Sequence, residues 1–418
     1  MTSAAIARAV LHHAHALILL AGVLGLLSVI ASLVSRWLGA PILLAFLGLG
    51  ILAGPDGVLG LSFHDPAAAY LTGSIALAVI LFEGGLKTPP ATLRAVFWPA
   101  ATLATIGVAI TAAITGFGVA WLDRVALTGA MVVGAILAPT DAAAVATLLR
   151  GARTAVPERL LAVLEVESGL NDPVSVILTL LLLRLVTGDI VSGWQAVADV
   201  AVEIVGGAAI GLGMGAATEM ALRRLRIEPA LSTVFAVAAA LTTFGLAQLV
   251  GASGFLATYL AGIMAGRAAP AMRARIEPFF EGLGWLAQIV LFLMLGLLVA
   301  PHDLPALLGP ALIAAMVLIL IARPVASFAC LAPFGFSPRE SAFVAWVGLR
   351  GGVPIYLSLI PALAGPDPRH RDALLFTIVV IVVIASLLVQ GWTIRPAARL
   401  LGFGRDAEAP VSGARPGP

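Results

Sequence analysis

From Ala373 to Ile394 the chain carries no charged side chain, and stretches of that kind recur along its length. A helix needs about 20 apolar residues to cross about 30 Å of hydrocarbon, and each of these stretches approaches that length. Inside hydrocarbon every backbone amide and carbonyl must be satisfied within its own element, so only helices or closed barrels can span. Barrels would show short segments of alternating polarity, which are absent. Only 11% of the residues are charged, against about 25% in soluble domains, and the mean hydropathy is +1.07. The expected fold is an all-α polytopic membrane protein.

Breaking the chain at charged and Pro/Gly-rich punctuation predicts thirteen spans, at 15–35, 40–54, 68–86, 95–122, 125–149, 157–186, 194–222, 229–250, 254–266, 281–300, 305–331, 338–362 and 373–398. The N-terminal run, with Arg8, His12, His13 and His15 ahead of it, resembles a signal peptide, but a second span starts at Gly39 and Pro41 with no small-residue cleavage site. It is therefore read as the first helix. An odd number of spans puts the termini on opposite sides. Alternate connections, among them one with Arg323 and Arg339, hold 18 basic residues against five (Arg8, Arg124, Arg184, Arg369 and Arg371), with Arg350 left inside a span. The positive-inside rule then makes the C-terminus cytoplasmic. The last dozen residues, rich in Ala, Pro and Gly, read as a disordered tail.

Net charge is +2. The arginines stand singly or in small groups between apolar segments, so no nucleic-acid partner is read from them. The single cysteine, Cys330, excludes an intrachain disulfide and a cysteine metal cluster; it reads as a small buried hydrophobe.

Three spans depart from plain Leu/Ala/Val/Ile/Gly helices. The fifth contains Leu137-Ala-Pro-Thr-Asp141, whose proline removes a donor and should free the carbonyl of Ala135. The twelfth contains Gly348-Leu-Arg-Gly-Gly-Val-Pro354. Broken backbone at membrane depth is tolerated only where protein or a wet cavity covers it. Two interrupted helices running in opposite directions are the pattern of an inverted-repeat transporter. Asp141 should balance exposed amide dipoles on one broken helix, and Arg350 the carbonyl ends on the other. Glycines 206, 207, 211, 213 and 215 in the seventh span mark a seam, within the chain or between two copies.

The sixth span carries Glu165, Glu167, Asn171 and Asp172 in hydrocarbon, where a charge costs roughly 2.5 kcal/mol or more. At 100° per residue Ser168 and Asp172 form one column, Glu167 and Asn171 a second about 100° away, and Glu165 falls within about 20° of Asp172, two turns nearer the cytoplasm. Asp172 lies roughly 22 Å along the helix, near mid-membrane. Carboxylate, hydroxyl and carbonyl oxygens are hard ligands, suited to Na⁺ or K⁺ and not to Zn²⁺ or Cu²⁺. Glu165 is read as part of an access funnel, and Glu83, in the third span, either pairs or lines the same funnel.

Ala138-Pro-Thr-Asp-Ala142, Glu167-Ser-Gly-Leu-Asn-Asp-Pro173, Gly348-Leu-Arg-Gly-Gly-Val-Pro354 and Leu388-Val-Gln-Gly391, with Leu81-Phe-Glu-Gly-Gly-Leu86, resemble in order and spacing the cation:proton antiporter-1 family of sodium/proton exchangers. Within it, the proline after Asn-Asp and the Val-Pro-Ile run at 353–355 resemble bacterial potassium/proton antiporters of the cell-volume-regulation type. Those usually carry a cytoplasmic nucleotide-sensing domain, and none is expected from the residues that follow the last span.

The resemblance implies an inverted-repeat antiporter fold within residues 1–400, with core helices about 95–186 and 305–398, scaffold and dimer helices about 15–86 and 194–300, and a tail at 401–418. It implies a homodimer in the lipid of a bacterial inner membrane, exchanging Na⁺ or K⁺ for H⁺ with no cofactor and no enzymatic step. By motif, Asp172 resembles the carboxylate that binds cation and proton alternately, Ser168 and Thr140 add oxygens, and Glu167 resembles the partner of Arg350, standing either as an ion-pair strut or as a further cation/proton ligand. Asn171 and Asp141 resemble the residues that hold the broken helix, and Asn171 implies electroneutral exchange. The rival readings are a cation channel, which would use the same oxygens, and an intramembrane aspartyl protease built on Asp141 and Asp172. The latter lacks a Gly-x-Gly-Asp context around either aspartate.

Overall fold

Each predicted span coincides with one helix or with an interrupted one, the twelfth falling into three pieces. The structure, a computed structural model, describes residues 3–403 except 39, 62, 64, 123–125, 151–155, 189–191, 226, 269 and 364–370. The expected tail therefore lies outside the described residues from 404 onward.

In chain order the first helices are α1 (Ser3–Leu38), α2 (Ile42–Ala53) and α3 (Pro66–Lys87). Asp65 starts α3 because its carboxylate accepts from the Ala67 and Ala68 amides at 3.0 Å each, with Pro66 at the position that needs no donor. Helix α4 (Pro90–Thr102) passes through a π-helical turn (Leu103–Gly107) into α5 (Val108–Leu122). The fifth span is broken, as α6 (Leu127–Ile136) and α7 (Ala142–Arg150), and the sixth is the continuous α8 (Glu158–Thr187), which keeps Pro173 in its interior.

Next come α9 (Gly193–Arg224), α10 (Pro229–Leu249), α11 (Gly254–Ala265) and α12 (Pro270–Leu297). Then α13 (Leu304–Val317) meets a second π-helical turn (Leu318–Ala322) before α14 (Arg323–Leu331). A second broken helix follows, α15 (Pro338–Trp346), α16 (Gly352–Leu357) and α17 (Ile360–Leu363), and then the long α18 (Arg371–Leu400). The same order thus occurs twice: a helix with a π turn, a broken helix, a long helix. Nine of the described helical stretches have the length and hydropathy to cross a membrane, and shorter apolar helices fill the gaps, so the chain is a multi-pass membrane protein.

Packing sorts the helices into two groups. α4 to α8 and α13 to α18 pack among themselves, with α5 against α6 and α13, α4 against α8, and α14 against α15. α1, α2, α3 and α9 to α12 form the other group, in which α11 lies between α9 and α3, and α12 against α2 and α3. The glycines of the seventh span settle where that seam lies. A Cβ on Gly207, Gly211 or Gly215 would come within 2.8 Å of Ser253, Ala257 or Ala261 in or beside α11, so these glycines serve contact within the chain. Gly213 faces open space.

Two expectations change. α12 begins well before the predicted tenth span, because the Arg/Glu-bearing turns after Pro270 continue the helix outside its apolar part. Arg323 is not in a connection. It opens α14 in the interior of the eleventh span and is 1% exposed. The π turn inserts one extra residue and re-aims the side chains after it, while Pro324 falls in the first turn of α14, where a missing donor is harmless.

Candidate cation site

The two broken helices cross where both lose their helical bonds. The Asp141 amide donates to the Leu349 carbonyl at 2.8 Å, joining the interrupted stretches backbone to backbone. The carbonyl of Ala135, expected to be free, accepts from the Ala138 amide at 3.2 Å; the bare carbonyls lie further on. Arg350, 1% exposed, donates through Nη1 to the carbonyls of Ala138 (2.5 Å) and Pro139 (2.9 Å). Its charge therefore serves the carbonyl end of α6, across the crossing, rather than its own broken helix. Asp141 does cap its own: Oδ1 accepts from the Ala144 amide at 3.0 Å at the start of α7.

Glycine makes the crossing possible at one contact in particular. A Cβ on Gly351 would sit 2.4 Å from Asp141 Oδ2 and 2.8 Å from its Cβ. The second broken helix is held from behind by α18: the Arg350 amide donates to Ser386 Oγ (3.1 Å), Ser386 to Gln390 Oε1 (2.6 Å), and Gln390 Nε2 to the Trp346 carbonyl (2.7 Å). That is the structural work of the Leu-Val-Gln-Gly stretch.

The two columns expected on α8 are observed, and they face different surroundings. Glu167 and Asn171 are fully buried. Glu167 does not meet Arg350: both its oxygens accept from Arg323, Nη1 to Oε1 and Nη2 to Oε2, at 2.8 Å each. Depth along the sequence alone favoured Arg350 because Arg323, followed by proline, reads as punctuation. Thr140 Oγ1 lies 3.4 Å from Glu167 Oε1, and Asn171 Nδ2 donates to Thr140 Oγ1 at 2.7 Å and to Glu167 at 3.3 Å. This column locks α8 to α14 and to the first interruption.

The other column borders a cavity of about 490 Å³. Ser168 Oγ donates to the Thr140 carbonyl (2.7 Å) and accepts from the Ala142 amide (3.2 Å), tying the cavity wall to the break. Asp172, Asp141, Thr140, Ser168 and Glu165 all line this cavity, as do Glu83, Lys87 and Glu281 at its mouth. Glu83 pairs with Lys87 at 2.8 Å while bordering the cavity. Of the described residues that line the cavity, Asp172 Oδ1 and Tyr259 Oη are buried atoms without a hydrogen-bond partner. An unpartnered buried polar group costs about 1–3 kcal/mol, so each calls for a visiting partner. Tyr356, two residues beyond the cavity-lining Pro354, is buried against α3 and α11. Its hydroxyl shares a hydrogen bond with Ser74 (2.8 Å), its ring stacks on Tyr70 (centroids 5.3 Å), and Phe255 meets it edge-on at 6.0 Å.

The structure thus gathers Asp172, Ser168, Thr140, Glu167, Asn171, Asp141 and Arg350 around one crossing, with Glu165 and Glu83 along the approach. Sequence reasoning missed Arg323, Ser386 and Tyr259. A lone arginine before proline within an apolar run was the signal for the first; nothing in the sequence distinguished the other two.

This arrangement has counterparts. Residues 23–400 match the family described as sodium/hydrogen exchanger, transmembrane. The chain is 43% identical over 384 residues to the K⁺/H⁺ antiporter NhaP of Alkalimonas amylolytica, covering 92% of this chain and 66% of that protein. It is 30% identical to the Na⁺/H⁺ antiporter NhaS2 of Synechocystis over 88% of this chain and 68% of that one. Its fold superposes on the sodium proton antiporter MjNhaP1 of Methanocaldococcus jannaschii with a TM-score of 0.78 at 26% identity, covering 92% of this chain and 99% of that one. The chain spans about two thirds of the length of the K⁺/H⁺ antiporters it matches. It belongs to the transmembrane sodium/hydrogen exchanger family.

Proposed function

We propose that the chain exchanges a monovalent alkali cation for a proton by competition at Asp172. The observation that carries this reading is the state of that carboxylate. It borders the cavity with one buried oxygen unpartnered, whereas Glu167 is held by Arg323, Arg350 by two carbonyls and Asp141 by the α7 amides. Ser168 and the break near Thr140 supply further oxygens.

Charge balance supports electroneutral exchange. At the crossing itself three carboxylates, Glu167, Asp141 and Asp172, stand against two guanidinium groups, Arg323 on Glu167 and Arg350 on the Ala138 and Pro139 carbonyls, which leaves one negative charge among these five side chains. One cation or one proton neutralises it, and an empty site would carry bare charge through a desolvated barrier. Only loaded states cross. The repeated order of helices supports movement of α4 to α8 and α13 to α18 as a unit against the remainder, opening the Tyr356–Ser74 contact as the mouth shuts. With Arg323 moved inside, the tally of basic residues still favours one side by 17 to five, which supports a cytoplasmic mouth and C-terminus. Names of relatives favour K⁺ or Na⁺ as the cargo. In two copies of the chain, exposed apolar faces such as that of α1 would supply the dimer contact.

In proteoliposomes, Asp172→Asn should reduce cation-dependent proton flux to that of protein-free vesicles while the protein stays folded. Sustained exchange by the folded variant would sink the assignment.

A further inference from the structure

Tyr259 presents a hydroxyl to the cavity wall at a place the exchange mechanism has not used. α11 lays its ring against α8 at Gly169, where a Cβ would come within 2.3 Å of ring Cε2 and 2.8 Å of Oη. Gly169 lies four residues after Glu165 and three before Asp172, so the hydroxyl stands over the turn that separates these two acids, and all of them line the same cavity. The side chain is 1% exposed and its Oη has no hydrogen-bond partner. Thr88 stands beside it and gives its own proton to the Gly84 carbonyl at 2.8 Å. Glu165 is the charged neighbour.

A notch cut in α8 by glycine would seat a phenylalanine as well as a tyrosine. What the extra oxygen adds is a hard ligand near a carboxylate, on a wall of the cavity that Asp172 also lines. We propose that Tyr259 Oη and the Glu165 carboxylate form a second station for a monovalent alkali cation, partly stripped of water, on its way to or from Asp172. The proposal rests on the exchange reading above. The phenol oxygen replaces one hydration water through its lone pair, and Glu165 supplies the negative charge. Cargo then sheds its hydration in two steps along the wall.

Tyr259→Phe keeps the ring in its notch and removes only the oxygen. With the full chain in proteoliposomes, the variant should raise KM for K⁺ or Na⁺ three- to tenfold while changing kcat by less. Glu165→Gln should raise KM too, and the double variant should do no worse than the poorer single one, as expected of two ligands to one ion. A wild-type KM in Tyr259→Phe for both cations, or independent addition of the two effects, overturns the station. If the wild-type protein exchanges neither cation, the exchange reading fails, and the station is judged separately by binding. Titrating Tm in detergent with KCl and NaCl, against choline chloride, should show a midpoint moved to higher concentration in Tyr259→Phe; an unmoved midpoint overturns it.

Discussion

Arg323 and Arg350 are both 1% exposed, yet they do different work. Arg323 meets a carboxylate two-pronged at 2.8 Å, and Arg350 meets two carbonyls. Removing one partner of a buried pair leaves a buried bare charge, at a cost of about 3–5 kcal/mol, whereas replacing both with apolar residues can be neutral. Arg323→Met should therefore collapse the folded yield and Tm in detergent, and Glu167→Met with Arg323→Met should recover most of the loss. A single Arg323→Met that melts like the wild type would show that Glu167 finds another partner. Glu167 and Arg323 are assigned to holding α8 and α14, so the double variant isolates their structural role from that of Asp172.

The broken helices show how two elements with unsatisfied backbone complete each other. Carbonyls left bare by α6 accept from Arg350 on the other interruption, and the Asp141 amide bonds the Leu349 carbonyl. Both interruptions were readable, because proline and clustered glycine within an apolar run have few other uses. Their partners were not, because which carbonyl an arginine reaches depends on how the two helices cross. The contact at Gly351 offers a test. Its φ is −103°, so the objection to a side chain is steric. Gly351→Ala should press on Asp141, cost about 1–3 kcal/mol as overpacking does, and slow exchange. Gly129→Ala, in the same crossing pair but with nothing within 4 Å of its Cβ, is the control and should melt no lower than the wild type. Equal Tm for the two variants would mean that α7 and α16 give way freely at the crossing.

For the whole molecule, a cavity lined by Asp172, Glu83 and Lys87 and an aromatic cluster of Tyr70, Phe255 and Tyr356 fit one of the two faces that the proposed exchange requires. Competition of one proton with one cation at one carboxylate has a pH signature. Below the apparent pKa of the site, KM for the cation should rise about tenfold per pH unit while kcat changes little. A flat KM with falling kcat would place the titrating group outside the site. The thirteen spans, the two breaks, the acid columns of α8 and the family were legible in the residues, because hydrocarbon tolerates few alternatives to an uninterrupted helix and makes each departure conspicuous. The pairing of Glu167 with Arg323, the inward turn of that arginine after a π turn, the anchoring of Arg350 through Ser386 and Gln390, and the seating of Tyr259 over Gly169 were not. Each joins residues far apart in the chain, and hydropathy and spacing fix depth and helical face while leaving open which neighbour stands opposite.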